Sequence, residues 1–166
     1  MRSREENRKH VLRKLEEMGI HFRIYEHPPL DTIDIAQDYW KDIDAMHFKN
    51  IFFRNHKGKQ HYLVIIKDTA PFNIHKLEKT LKQGKLSFAS EKRLEKYLGV
   101  KPGSVSPFGL LNDIDKHVKI FIDKQLQNAE FVSFHPNDNT ASLVLTHDDF
   151  IKFLTSTGNN FEYFTP

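Results

Sequence analysis

The sequence predicts an α+β fold with a mixed, largely antiparallel central sheet flanked by helices, and three observations carry that prediction. Helix-like and strand-like segments alternate without a regular β-α-β rhythm. Capping residues recur along the chain, each followed by apolar residues at helical spacing. Short runs rich in β-branched and aromatic residues lie between them, bounded by Gly, Pro or polar turns. The chain of 166 residues is expected to form one domain, residues 1–166, with a core large enough to need neither disulfide nor metal.

The elements follow in order. Ser3 and Glu6 have capping-box spacing, and Val11, Leu12, Leu15 and Met18 continue on one face, so a helix is expected over 3–18 with Gly19 as its stop. His21 to His27 alternates as a strand and is broken by Pro28 and Pro29. Asp31 or Thr32 caps a second helix with its apolar pattern at Ile35, Ala36, Tyr39 and Ile43. Strands over 50–55 and 60–66 form a hairpin around Gly58. A helix over 73–83 stops at Gly84, and another is capped by Ser90 and ended by Gly99. A loop rich in Gly, Pro and Ser follows over 101–113. Strands resume at 117–123, 129–135 and 140–146. Thr146 and Asp149 begin the last helix, and "FEYF" (161–164) reads as an edge strand.

Composition narrows the functional classes. Apolar residues make up 39% and charged residues 28%, a globular balance. There is no cysteine, which removes thiol catalysis and thiolate metal sites. Ten histidines occur without H-x-x-x-H spacing, so neither a metal nor a cofactor is expected. The charged N-terminus has no apolar signal core and no run approaches a membrane span, which predicts a cytoplasmic protein. A net charge of +3 and a pI near 9.0 are compatible with a polyanionic partner. Nucleotide-binding glycine loops and the G-x-S-x-G elbow are absent.

Three stretches stand out as more than scaffold. Lys49–Asn50 sits where an apolar strand is expected to begin, either as a solvated strand end or as a cation at a pocket rim. Gly103 to Pro107 ("GSVSP") is either a plain turn or a loop whose N–H groups meet an anion or oxyanion. His135, just before Pro136, is either a capped strand end or part of a site.

The segments "LRKLEEMGIHFRIYEHPPLDT", "FKNIFFRN", "LSFASEKRLEKYLGVKPGSVSPFGLLND" and "FHPNDNTASLVL" resemble, in order and over roughly residues 10–157, the YbaK-like family of aminoacyl-tRNA editing domains. Within it the likeness is to free-standing prolyl-tRNA editing proteins. The resemblance implies the fold already read from the pattern. It implies hydrolysis of a mischarged tRNA, with alanine on tRNA(Pro) as the first expectation. It places the family's functional lysine on Lys49, its G-x-x-x-P loop on Gly103–Pro107, and its H-P-x-x-N word on His135, Pro136 and Asn139. Ser106 and Ser142 stand where threonine is frequent and Phe53 where leucine is frequent, which bears on the amino acid accepted.

On this resemblance Lys49, Gly103 and His135 are the expected catalytic residues. Leu30, Thr32, Asn50, Ser104, Val105, Ser106, Pro107 and Asn139 are expected to bind substrate. Lys76, Lys79 and Lys82, at three-residue steps, either touch the tRNA acceptor stem or form a solvated helix face. Expected partners are aminoacylated tRNA and, transiently, prolyl-tRNA synthetase. A cysteinyl-tRNA deacylase and a non-catalytic aminoacyl-tRNA binder remain the alternatives. The ester is already activated, so a placed water, oxyanion donors and a held 3′ end suffice without a covalent nucleophile.

Overall fold

The computed structural model describes residues 1–166. Helix α1 spans Arg4–Glu17, and its capping box forms in both directions between Ser3 and Glu6. Strand β1 is Arg23–Glu26, and α2 is Ile33–Trp40, capped by the Thr32 hydroxyl, which accepts from the Ile35 N–H. Strands β2 (Met46–Asn55) and β3 (His61–Lys67) form the expected hairpin. Helices α3 (Ile74–Leu81) and α4 (Glu91–Leu98) enclose a three-residue strand, β4 (Leu86–Phe88). Then come β5 (Lys119–Asp123), β6 (Phe131–Phe134), β7 (Ala141–Thr146), α5 (His147–Thr157) and β8 (Phe161–Phe164).

Several details depart from the sequence reading. The buried face of α2 is Ala36 and Trp40, continued by Ile43, whereas Ile35 and Tyr39 are exposed. Steps of four and three residues keep 36, 40 and 43 on one side, and 35 and 39 fall beside it. Helix α3 ends on Lys82 in the left-handed conformation, before Gly84. Residues Pro107–Asn112 make a 3-10 turn inside the expected loop, with Ser106 as its cap. Strand β2 begins at Met46 rather than residue 50, so Lys49 lies within the strand, opposite Ile66. That extension rests on a partner distant in sequence: Met46 and His47 pair with Val132 and Ser133 of β6.

The sheet runs β1-β7-β6-β2-β3-β5-β8, with β4 added on β2. Four pairs are antiparallel (β1–β7, β2–β3, β2–β4, β6–β7), and β2–β6, β3–β5 and β5–β8 are parallel. One face packs Leu63, Ile65, Ile120 and Leu143 under α1, α4 and α5, through Val11, Leu15, Leu98 and Phe150. The other face carries two separate clusters. Tyr62, Val64, Ile66 and Phe121 meet Leu77 and Leu81 of α3, and Val144 meets Ala36 and Trp40 of α2.

Strand β3 starts on a fully buried His61. Arg93 Nη1 donates to its Nε2 (2.8 Å), so its Nδ1 carries the proton shared with His117 Nε2 (2.8 Å), and the Tyr97 ring covers it at 4.2 Å. Burial, then the charges of His117, Arg93, Lys96 and Arg54, push its pKa down to about 4. Between that value and the ordinary 6.5, the unfolded chain takes a proton that the folded one refuses. Stability is therefore lost as pH falls through this window, by about 3 kcal/mol when complete. Denaturant titrations across the window should give a smaller loss for His61→Asn than for the wild type; equal losses would refute the assignment.

Candidate active site

The sheet opens beside β2. On the edge facing β6, β2 is paired only at Met46 and His47, and the next partner on that side is β4, at Phe53 to Asn55, preceded by the Ala89 N–H on the Phe52 carbonyl. Between these anchors Phe48, Lys49, Asn50 and Ile51 have no strand partner there. The two strands part because β6 turns toward β7 while β2 stays with β3 along its length. A cavity of about 220 Å³ fills the opening. Its walls are Phe48, Lys49 and Asn50 on one strand, Ser133, Phe134 and His135 on the other, Leu30 to Ile33, Ala36 and Trp40 from the α2 side, and Gly103 and Val105 from the loop. Ser142 completes it.

The polar groups are oriented by their outer partners. Lys49 is half-buried, and its Nζ donates to the Ala70 carbonyl at 2.5 Å, which leaves two of its three N–H donors. His135 donates from Nδ1 to the Ala141 carbonyl (2.9 Å), and its Nε2 has no protein partner. Burial lowers its pKa, opposed by the Ala141 bond, with the His27 and His47 charges adding to the lowering and Asp138 to the opposition. His135 is thus a neutral ring with a free lone pair. His27 contacts the Pro28 carbonyl through Nδ1 and the Ser142 hydroxyl through Nε2, both at 2.9 Å. A carbonyl only accepts, so His27 Nδ1 is the donor in the contact with Pro28. Asn50 Oδ1 is buried and makes no hydrogen bond.

The loop offers donors as well. The Ser104 N–H is taken by the Lys101 carbonyl (3.1 Å), while those of Gly103 and Val105 are bonded to nothing in the protein. Gly103 has φ +88°, a conformation that a side chain resists, and a Cβ there would stand 3.3 Å from Asn139 Nδ2. The turn after His135 is tied to α1 by Asp138, which takes Arg8 Nε (2.9 Å) and the Thr140 N–H and hydroxyl. Burial would raise the Asp138 pKa, but the Thr140 bonds and Arg8 outweigh it and hold the carboxylate ionised.

Of the residues expected from sequence, Lys49, Asn50, Gly103, Val105, His135, Leu30 and Thr32 are brought together around the cavity. Ser104 and Asn139 line a separate cleft behind the loop. Ser106 and Pro107 are buried, supporting the loop from beneath. Lys76, Lys79 and Lys82 are exposed on or just beyond α3 and line none of the cavity. Of the three unusual positions, only Ser142 reaches the cavity. Phe53 and Ser106 are fully buried elsewhere, so neither sets its size directly. Sequence reasoning missed Trp40, Ser133 and the His27–Ser142 pair; "YEHPP" carried the signal for His27, a histidine ending a strand before a Pro-Pro break.

This fold, with its cavity between parted strands, is that of an aminoacyl-tRNA editing domain. The family described by that name matches residues 27–153, and the chain belongs to it. Prolyl-tRNA editing protein ProX of Acetoanaerobium sticklandii is 41% identical over 154 residues, covering 92% of this chain and 93% of that one. Prolyl-tRNA synthetase associated domain-containing protein 1 of Mus musculus is 31% identical over 159 residues, covering 93% and 94%. A crystal structure of a proposed trans-editing enzyme for prolyl tRNA synthetase superposes with a TM-score of 0.69 at 21% identity, over 96% of this chain and 97% of that one, a likeness of fold. No helix is long and apolar enough to cross a membrane.

Proposed function

We propose that the protein is a trans-editing aminoacyl-tRNA deacylase acting on mischarged tRNA(Pro), with alanyl-tRNA(Pro) as its substrate. The observation that carries this reading is that Lys49, Gly103, Val105 and His135 line one small cavity, while the Gly103 and Val105 N–H groups and His135 Nε2 have no protein partner. Its volume is below the roughly 300–1,000 Å³ of sites that enclose a drug-sized ligand. It suits an aminoacyl group and the edge of a ribose rather than a whole nucleotide. Membership of the editing family and 41% identity to a prolyl-tRNA editing protein support the substrate class.

In this mechanism Lys49 holds the aminoacyl carbonyl or the terminal phosphate. Water attacks the ester carbon and gives its proton to His135 Nε2, directly or relayed by a ribose hydroxyl, and His135 passes it to the departing ribose oxygen. The Gly103 and Val105 N–H groups receive the oxyanion. Collapse breaks the bond to the ribose oxygen, which leaves protonated, and the amino acid departs as its acid. Because His135 resists protonation, the rate should stay level as pH falls through 6.5 and decline only below its lowered pKa. A rate that halves near pH 6.5 would contradict a neutral His135.

Selection is by size. Trp40, Ala36 and Leu30 wall the cavity, and a wall excludes a larger residue more readily than a smaller one. Prolyl-tRNA is thereby spared, and a transient association with prolyl-tRNA synthetase in the cytoplasm would give early access to mischarged product. A panel of alanyl-, cysteinyl-, seryl- and prolyl-tRNA(Pro) tests this. Alanine should be released fastest and proline left in place. Chelator should change nothing, because no three His, Asp or Glu side chains gather to hold a metal. An inert protein across the panel would refute the deacylase reading and favour a binding module.

The exposed lysines of α3 supply a further expectation. If Lys76, Lys79 and Lys82 meet acceptor-stem phosphates, replacing all three by alanine should weaken tRNA binding and reduce its dependence on salt. An unchanged salt slope would return them to a solvated helix face.

A further inference from the structure

Behind the Gly103 loop lies a second hollow, of about 450 Å³, between the start of α1, the Lys101–Ser104 stretch and the Asn137–Asn139 turn. Arg2, Arg4 and Lys101 line it, and no carboxylate does. Asp138, between the lining Asn137 and Asn139, is buried and occupied by Arg8 and Thr140, with Arg4 Nε at 3.7 Å. The first-turn acids of α1 are also engaged, Glu5 with Lys9 (3.0 Å) and Glu6 with the Ser3 N–H (3.1 Å). Both carboxylates face the positive end of the α1 dipole and offset it, so the cationic field of the hollow comes from its own side chains, Arg2, Arg4 and Lys101.

Asn137 stands in the wall of this hollow. It is 2% exposed and held at φ +58°. The Ser106 hydroxyl, which accepts from the Phe108 N–H, donates to Asn137 Oδ1 at 3.2 Å. Asn137 Nδ2 is left buried with no partner. An unmet buried donor costs about 1–3 kcal/mol, and an acceptor in the hollow to which the side chain can turn removes that cost. Cationic side chains around a free amide donor are the chemistry of a phosphate site.

Position completes the argument. Successive residues of one backbone face opposite sides: Gly103 and Val105 line the cavity, Pro102 and Ser104 the hollow. Asn139, on the hollow side, approaches Gly103 so closely that a Cβ would stand 3.3 Å from its Nδ2. A single strand of backbone thus separates the two. We propose that this hollow is a subsite for a backbone phosphate of the RNA strand whose 3′ end carries the ester into the cavity. The inference rests on the deacylase reading and adds to it a second contact surface, made by Arg2, Lys101, Asn137 and Asn139. It gives a role to Ser104 and Asn139, which were expected to bind substrate yet lie outside the cavity.

The test compares alanine esterified to adenosine, which has no phosphate, with alanine esterified to the dinucleotide CpA, which has one. The Arg2→Ala/Lys101→Ala protein should lose roughly tenfold in kcat/KM on the dinucleotide ester, the loss of one charge-assisted contact, and less than about twofold on the adenosine ester. Equal losses on both, or none on either, would overturn the subsite. A wild-type protein that hydrolyses neither ester leaves the deacylase reading to the tRNA panel, and a binding measurement then decides the hollow separately. Uncharged CpA should shift the Asn137 side-chain amide resonances in the wild type and not in the double variant. No shift in the wild type would overturn the proposal. So would inorganic phosphate saturating the shift at the same concentration as CpA, because the hollow would then be a site for the free ion.

Discussion

Lys49→Ala is expected to lower single-turnover deacylation by about a hundredfold or more, on the order of 2.7 kcal/mol of transition-state stabilisation. The lysine sits at the unpaired stretch of β2 with two N–H donors unspent. Its loss removes one hydrogen bond to the Ala70 carbonyl, about 1 kcal/mol, while its strand pairing with Ile66 is backbone and remains. Thermal melting should therefore show a folded protein. Lys49→Arg keeps the charge but replaces a compact ammonium by a broad planar fork, and in a cavity of about 220 Å³ it should rescue poorly. Near-wild-type rates in a folded Lys49→Ala protein would sink the mechanism.

The second large effect is expected at His135. His135→Ala removes the free Nε2 acceptor and should slow hydrolysis by roughly ten- to a hundredfold, in line with the loss of a positioned acid–base group. The ring also meets Trp40 and His27, with centroids 6.4 and 6.0 Å away, so part of the loss could come from a slackened cavity. His135→Phe separates the causes, because it restores the ring without the nitrogen. If Phe recovers the rate, His135 only fills space. If Phe is as slow as Ala and the KM is little changed, the nitrogen acts in the chemistry.

Much of this fold is written locally. Ser3, Thr32, Ser90 and Thr146 each cap the helix that their sequence context announces, because a cap needs only the next three residues. The hairpin and the strands at 117–123, 129–135 and 140–146 read equally well from their apolar runs. Lys49, Gly103 and His135 were legible because each sits in a short word with an unusual residue at a strand or loop. What stayed hidden depends on distant partners. Strand β4 is three residues long, and only its pairing with β2 makes it a strand. The face of α2 is chosen by Val144, more than a hundred positions away, and the His27–Ser142 contact spans 115. The hollow behind the loop combines residues from three parts of the chain, and no one of them announces it alone.

The parted strands have a consequence for how the protein survives at high concentration. Exposed strand edges recruit strands from other molecules, and an enzyme that needs bare backbone around its substrate risks advertising such an edge. Here the bare segment, Phe48 to Ile51, is bracketed by β6 at one end and β4 at the other, in the interior of the sheet. Trp40 and the Gly103 loop stand beside it. An invading strand would need a straight lane several residues long, and this lane is closed at both ends. The chemistry keeps its uncovered backbone, and a strand from another molecule finds nothing to extend at this opening.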